Sequence, residues 1–312
     1  MTGRRQRAEQ AMVPDAEFTS YYGRPVVKKP VWKWDIAAYF FTGGLMAGSS
    51  LLAAGADLTG NRRLRRAGRL SAAASLGAST FFLIHDLGRP GRFANMLRVL
   101  KPTSPMSVGS WILAGYGPAA GFAAASEVSG RAARLGRAAG FVAGAMAPPI
   151  ASYTAVLAAD TAVPAWHDAY RQLPFLFVGS AAAASGGLAM VLVPPGDAAP
   201  VRRLALFGAA ADLAAAASME RSIGLSAEPY REGTAGTLSR WARRLTAAGA
   251  LGATMSRRSR PVAVASGLAL LGGSMCTRFA VFHAGLQSAA DPKYTVIPQR
   301  RRIDAGRPIQ AG

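Results

Sequence analysis

The chain is poor in the residues that hold redox metals. Its 312 residues include one cysteine, Cys276, and three histidines. A single cysteine excludes an internal disulfide and a conventional iron–sulfur cluster, which needs about four thiolate ligands. Three histidines exclude a two-haem cytochrome b, which needs about four axial ligands. One haem between His85 and His283 stays open, although a histidine that hydrogen-bonds at a membrane boundary is the commoner arrangement.

Charged residues are also missing from long parts of the chain. Four uncharged segments are each long enough, at about 20 residues or more, to cross the hydrocarbon of a bilayer as a helix: 36–56, 102–126, 138–159 and 172–196. The 36 Lys and Arg, against 16 Asp and Glu, occur in short bunches between such segments rather than as the basic stripes of a nucleic-acid-binding protein. The segments are rich in Ala, Gly and Ser, which suits close helix packing, and lack the alternation of a membrane β-barrel. The pattern therefore predicts an all-α integral membrane protein with no nucleic-acid partner.

The apolar pattern predicts about eight transmembrane helices. They are 36–56, 70–84, 108–126, 138–159, 173–193, 204–219, 245–256 and 261–287. Pro148 and Pro149 are expected to kink or break the fourth near its middle. The seventh is short enough to be interfacial or re-entrant instead. Trp32 and Trp34 indicate an aromatic belt at the start of the first span.

The arginines suggest how the chain is oriented. The connections after spans one, three, five and seven are dense in Arg and nearly free of acids: 62–66, 131–137, 202–203 and 257–260. By the positive-inside bias, these connections lie in the cytoplasm. We therefore expect a multi-pass protein of the cytoplasmic (inner) membrane with both termini on the outer face.

Polar side chains gather at the opposite ends of the same spans. Asp35 and Tyr39 lie one helical turn apart at the start of span one, and His85 ends span two. Tyr153 and Asp160 approach the same face from span four. A quinone site needs an apolar slot with a hydrogen-bonding group for each ring oxygen, which these side chains could supply. Acids solvated at helix ends and an interfacial tyrosine are the plainer alternative.

Two charges fall inside apolar spans. Asp212 and Arg278 would each cost at least about 3 kcal/mol there if unpaired, so each needs a partner, such as an acid for Arg278. They form either a structural ion pair or part of a proton path. Asp160 and Glu127 are further proton-path candidates.

Four blocks of the sequence resemble the NrfD-type family, the membrane subunits of the polysulfide reductase type. They are 34–50 with Tyr39-Phe40-Phe41, 86–111 with Asp86-Leu87-Gly88-Arg89-Pro90, 153–177 with Pro164-Ala165-Trp166, and 278–294 with Asp291-Pro292-Lys293-Tyr294. The resemblance implies two four-helix bundles, at 35–160 and 161–287, between a polar N-terminal tail, 1–34, and a basic C-terminal tail, 288–312.

The resemblance also implies a function. Such subunits exchange electrons between a membrane quinone, menaquinone or ubiquinone with menaquinone favoured, and an iron–sulfur (ferredoxin-like) subunit that serves a molybdopterin catalytic subunit. Tyr153, Asp35 and Tyr39 look like the quinone-site positions, and His85 is a further hydrogen-bonding candidate. Other members carry a His or Asn near the start of span one, where this chain has no His.

Basic residues of the loop after span two could dock an acidic iron–sulfur partner. Asp86, Arg89 and Arg92 are the candidates for the docking loop, although a solvated basic loop is the plainer alternative. The chain itself is better described as a subunit than as an enzyme. A secondary transporter with a broken fourth span and a passive membrane anchor are the rival hypotheses.

Overall fold

The structure, a computed structural model, describes residues 24–89 and 91–305. Every regular element in these two ranges is helical. The predicted N-terminal tail up to residue 23, Pro90 of the docking-loop motif and the end of the C-terminal tail, 306–312, lie outside the described residues.

Twelve α-helices follow one another through the described ranges. They are α1 (Trp34–Thr59), α2 (Arg62–Asp86), α3 (Arg92–Asn95), α4 (Pro105–Ser129), α5 (Ala133–Ala145), α6 (Ala147–Ala159), α7 (Pro164–His167), α8 (Leu173–Leu192), α9 (Ala199–Ser222), α10 (Gly233–Met255), α11 (Arg260–Ala290) and α12 (Lys293–Asp304). Two 3₁₀ turns, Pro195–Asp197 and Gly224–Tyr230, flank α9.

Within the two described ranges, five helical segments are long and apolar enough to cross a membrane. They are α1, α2, α8, α11 and the α5–α6 pair taken together, Ala133–Ala159. The chain is therefore a multi-pass, all-helical membrane protein, as the charge-free segments predict. That α4, α9 and α10 also cross, which would give eight spans, stays a prediction.

Several helices begin earlier than the uncharged segments suggest. Helix α2 starts at Arg62, where the Asn61 side chain caps it by accepting a hydrogen bond from the Leu64 amide at 3.0 Å. Helix α10 starts at Gly233, and its arginines at 240 and 244 are exposed. Long basic side chains near helix ends extend into water, so a count of uncharged residues underestimates helix length.

The predicted break in span four is confirmed. Helix α5 ends at Ala145 and α6 begins at Ala147, with Met146 between them. Pro148 and Pro149 fall in the first turn of α6, where a missing N–H costs least and proline geometry suits a new helix. The prolines thus interrupt the span at Met146 alone, which keeps right-handed helical backbone angles and i→i−4 hydrogen bonds on both sides.

Helix α1 is the central element of the packing. It contacts α2, α5, α6, α8 and α11, while α8, α9, α10 and α11 contact one another in sequence. At Gly48, α1 lies so close to Ser185 of α8 that an added Cβ would overlap that side chain. Small residues permit this spacing. The division into bundles at residue 160 stays a prediction.

Candidate functional site

A cavity of about 300 Å³ opens where α1 begins, α2 ends, α4 begins and α6 ends. Four residues predicted for the site or its docking loop line it: Tyr39, Asp86, Arg92 and Tyr153. Most of the other lining side chains are apolar. A volume of this order, with few polar groups among apolar ones, is typical of a small-molecule site.

The two tyrosines form the polar part of the wall. Their ring centroids lie 6.5 Å apart and the rings meet edge to face, at 69°. Tyr39 is 3% exposed and Tyr153 is 9% exposed. Neither hydroxyl makes a hydrogen bond with any residue that the structure describes. Both hydroxyls keep some accessible surface, so they are available to bond a ligand.

A glycine sets the position of Tyr153. An added Cβ on Gly109 of α4 would overlap two atoms of the Tyr153 ring. The ring therefore lies directly against the α4 backbone and faces the cavity that Gly109 also lines. Sequence reasoning missed this residue, since nothing distinguishes it from the 34 other glycines of the chain.

Asp35 and His85 form a pair beside the cavity. Asp35 is fully buried, and its Oδ1 lies 2.9 Å from His85 Nδ1. Asp35 Oδ2 is buried without a hydrogen-bond partner in the described part of the chain. The His85 side chain is 55% exposed and stacks on Phe81. The pair thus links a buried carboxylate to the surface, one turn of α1 away from Tyr39.

The docking-loop residues take three different positions. Asp86 Oδ1 accepts a hydrogen bond from the Lys33 amide at 3.2 Å, and its side chain lines the cavity. Arg92 lines the cavity from the short helix α3. Arg89 is exposed in the turn between α2 and α3. Opposite charges therefore lie at the cavity lining, with a further cation outside it.

An aromatic stack closes one side of the site. Trp32, which lines the cavity, stacks on Trp166 with centroids 5.4 Å apart at 25°. Trp166 is fully buried and donates its Nε1–H to the Val281 carbonyl at 2.6 Å. It fits because Gly285 of α11 carries no Cβ. Trp34 is 55% exposed, as an interfacial residue would be, but Trp32 is partly buried against this wall instead.

A second apolar cavity of about 250 Å³ adjoins the first. The two share Leu83, Met96, Ser110 and Leu113 as lining residues. The remaining lining of the second cavity comes mainly from apolar side chains of α2 and α4 and of the loop between them. Together the two cavities extend from the tyrosines along the α2–α4 contact.

The proton-path candidates lie apart from one another. Asp160 is exposed at the C-terminal end of α6. Glu127 pairs with Arg65, at 2.9 Å, near the other end of the helices. Asp212 is buried and accepts a hydrogen bond from Thr246 at 3.4 Å. The structure does not bring these carboxylates together.

Arg278 is fully buried and does not have the acidic partner at contact distance that the sequence suggested. It donates to the Phe177 carbonyl at 2.6 Å and lies 3.8 Å from the centroid of the Phe177 ring. Its Nε and Nη1 have no hydrogen-bond partner among the described residues. The direct contacts of the guanidinium are therefore a carbonyl and an aromatic face. Buried Asp212 attracts it electrostatically from beyond ion-pair distance.

The sequence matches known proteins over the region that contains the cavity. The model of the family described as "Polysulphide reductase, NrfD" matches residues 25–195, and every residue lining the tyrosine cavity falls within that range. The C subunit of polysulfide reductase from Wolinella succinogenes is 36% identical over 94 residues. That match covers 28% of this chain and 30% of the relative. Because the family model spans more than half of its residues, the chain belongs to the polysulphide reductase NrfD family.

Proposed function

We propose that this chain is the quinone-reactive membrane subunit of an oxidoreductase complex and that the cavity beside Tyr39 and Tyr153 holds the quinone ring. The observation that carries the proposal is a pair of buried tyrosines whose hydroxyls bond to no described residue, in a mainly apolar cavity. A quinone offers two ring oxygens to such donors on a flat apolar ring. Edge-to-face tyrosines supply both the donors and an aromatic contact.

Oxidation of a quinol releases two electrons and two protons. In the proposed site, Tyr39 and Tyr153 hydrogen-bond to the ring oxygens and hold the ring in position. The Asp35–His85 pair lies next to Tyr39, and its histidine is half exposed, so it offers a route for a proton to the surface. Asp86, which also lines the cavity, is a second proton acceptor.

The adjoining apolar cavity suits the isoprenoid tail of the quinone. It shares four lining residues with the tyrosine cavity and lies between α2 and α4. An isoprenoid chain gains free energy by leaving water for such a lining. We place the ring at the tyrosines and the beginning of the tail against Leu83 and Leu113.

The electrons leave through a partner. The single cysteine of this chain cannot hold an iron–sulfur cluster, so the proposal assigns that centre to a ferredoxin-like subunit and the terminal chemistry to a molybdopterin subunit. Arg89 and Arg92 lie at the cavity end of the helices and could attract an acidic partner there. The proposed topology has eight spans in two four-helix bundles, with both termini on the outer face of the cytoplasmic membrane.

The test measures quinol oxidation by the complex purified with its partner subunits. Tyr39→Phe and Tyr153→Phe each remove one hydrogen bond of about 1 kcal/mol, which should reduce quinol affinity about fivefold. Tyr170→Phe is the matched control, because Tyr170 is 53% exposed and does not line the tyrosine cavity.

The rival functions give different results. A passive anchor would leave quinol oxidation unchanged in both cavity variants. A secondary transporter would move solute into vesicles that contain this chain without any redox partner. Either result would contradict the proposal.

A further inference from the structure

A third cavity, of about 410 Å³, lies at the opposite end of α1 from the tyrosines. It is formed where α1 turns into α2 and α4 turns into α5. Five arginines line it: Arg62, Arg65, Arg69, Arg134 and Arg137. None of these belongs to the proposed quinone site.

The inner wall of this cavity is an ion cluster whose charges balance. Arg69 donates to Asp57 at 2.6 Å and to Glu127 at 3.0 Å. Arg65 makes two bonds to Glu127, at 2.9 and 3.1 Å, and lies 3.6 Å from Asp57. Two arginines thus neutralise two carboxylates. This pairing leaves the acids of the cavity with little charge to repel an anion.

The rim carries the positive charge that remains. The exposed side chains of Arg62 and Arg134 form no ion pair or hydrogen bond with the described residues. Arg137 donates from Nη2 to the Asp57 carbonyl at 3.2 Å and lies 5.6 Å from the centroid of the Phe141 ring, but it forms no ion pair with a described residue. Deeper in, Arg69 is 5% exposed, and its Nε is buried without a partner among the described residues. The rim therefore carries three cations that pair with no described carboxylate.

Exposed apolar residues lie at the same helix ends that form the cavity, although they do not line it. Leu58, Val128 and Leu135 are 73%, 68% and 64% exposed. Each follows directly after a cavity-lining charge: Asp57, Glu127 and Arg134. A site that binds a free anion from water does not need exposed apolar residues beside it. A site where the membrane hydrocarbon meets water does, because the neighbouring protein surface contacts lipid.

We propose that this cavity binds the phosphate group of an anionic phospholipid, whose acyl chains lie along Leu58, Val128 and Leu135. Guanidinium groups bind phosphate oxygens in a bidentate manner, and basic pockets between helices at a membrane surface suit lipid headgroups. The site does not depend on the proposed quinone function. It would tie the α1–α2 hairpin to the α4–α5 hairpin through a lipid.

The experiment is native mass spectrometry of the full chain in detergent, titrated separately with phosphatidylglycerol, phosphatidylcholine and inorganic phosphate. We expect the native protein to prefer phosphatidylglycerol. An arginine near an anionic headgroup contributes about fivefold to affinity, so the double variant Arg62→Gln/Arg134→Gln should bind it about 25-fold more weakly.

The matched control is the double variant Arg66→Gln/Arg131→Gln. It removes the same charge from the same two helix connections, 62–66 and 131–137, and neither residue lines the cavity. All four side chains are exposed, so the melting temperatures of both variants should equal that of the native chain. Equal weakening in both double variants would show non-specific surface charge and overturn the proposal. Inorganic phosphate that binds as tightly as the lipid, with the same dependence on Arg62 and Arg134, would overturn the lipid assignment in favour of a free anion.

Discussion

Replacing Gly109 with alanine should impair quinone binding through Tyr153. The added Cβ would lie closer to two atoms of the Tyr153 ring than real Cβ atoms ever approach a neighbour. Ordinary carbon contacts are about 3.5 Å or longer, so the ring would have to retreat by roughly 1 Å. A hydroxyl hydrogen bond tolerates a donor–acceptor range of about 0.5 Å, so a shift of that size breaks it.

The magnitude follows from that lost bond. A hydrogen bond of about 1 kcal/mol corresponds to about a fivefold rise in the dissociation constant. Overpacking costs about 1–3 kcal/mol of folding free energy, partly offset by about 1 kcal/mol because alanine favours helix over glycine. The protein should therefore remain folded while its affinity falls.

The assay is the binding of a short-chain naphthoquinone and a short-chain benzoquinone to the detergent-purified chain, followed by quenching of its tryptophan fluorescence. The matched control is Gly121→Ala on the same helix, where an added Cβ has no atom within 4 Å. If Gly109→Ala binds both quinones as tightly as Gly121→Ala does, then Tyr153 does not hold the ring and the reasoning is refuted.

Two further predictions concern charged residues. The effects of Asp35→Asn and His85→Ala on quinol oxidation by the complex should not add, because the two side chains share one hydrogen bond of 2.9 Å. We expect a coupling energy of about 0.5–3 kcal/mol in the double variant. If the loss of activity in the double variant equals the sum of the two single losses, the pair is not part of the proton route. Arg69→Met should lower the free energy of unfolding by about 3–5 kcal/mol, because it leaves one cation, Arg65, for two carboxylates whose side chains are only 3% and 10% exposed. Thermal unfolding in detergent measures this, and Arg66→Met, at an exposed position without described contacts, should change it by less than about 0.5 kcal/mol.

Much of what the sequence predicts about the site follows from helical spacing and from the positions of the helix ends. Tyr39 lies one turn after the start of span one, and Asp86 ends span two, so the sequence alone places both at one end of the helices. The structure brings Tyr39, Tyr153, Asp86 and Arg92 to one cavity. Their role in quinone binding stays a prediction.

The features that sequence reasoning missed depend on contacts between distant parts of the chain. Gly109 matters because α6 brings Tyr153 against it, and the Trp32–Trp166 stack joins residues 134 positions apart in number. The Arg69–Glu127 pair likewise joins two hairpins. The periodicity of residues along one helix does not show which residues of another helix contact them. Uncharged runs fall within long helices but place the helix ends too far inward, as at α10.

Photolabelling with an azido-quinone tests the central claim most directly. The full chain in detergent is illuminated with the probe, with and without excess unlabelled quinone, and the modified peptides are mapped by mass spectrometry. The proposed site predicts competable labels on residues that line the tyrosine cavity, from the start of α1, the start of α4 and the end of α6. Competable labels confined to α8–α11, with none in residues 31–157, would contradict it.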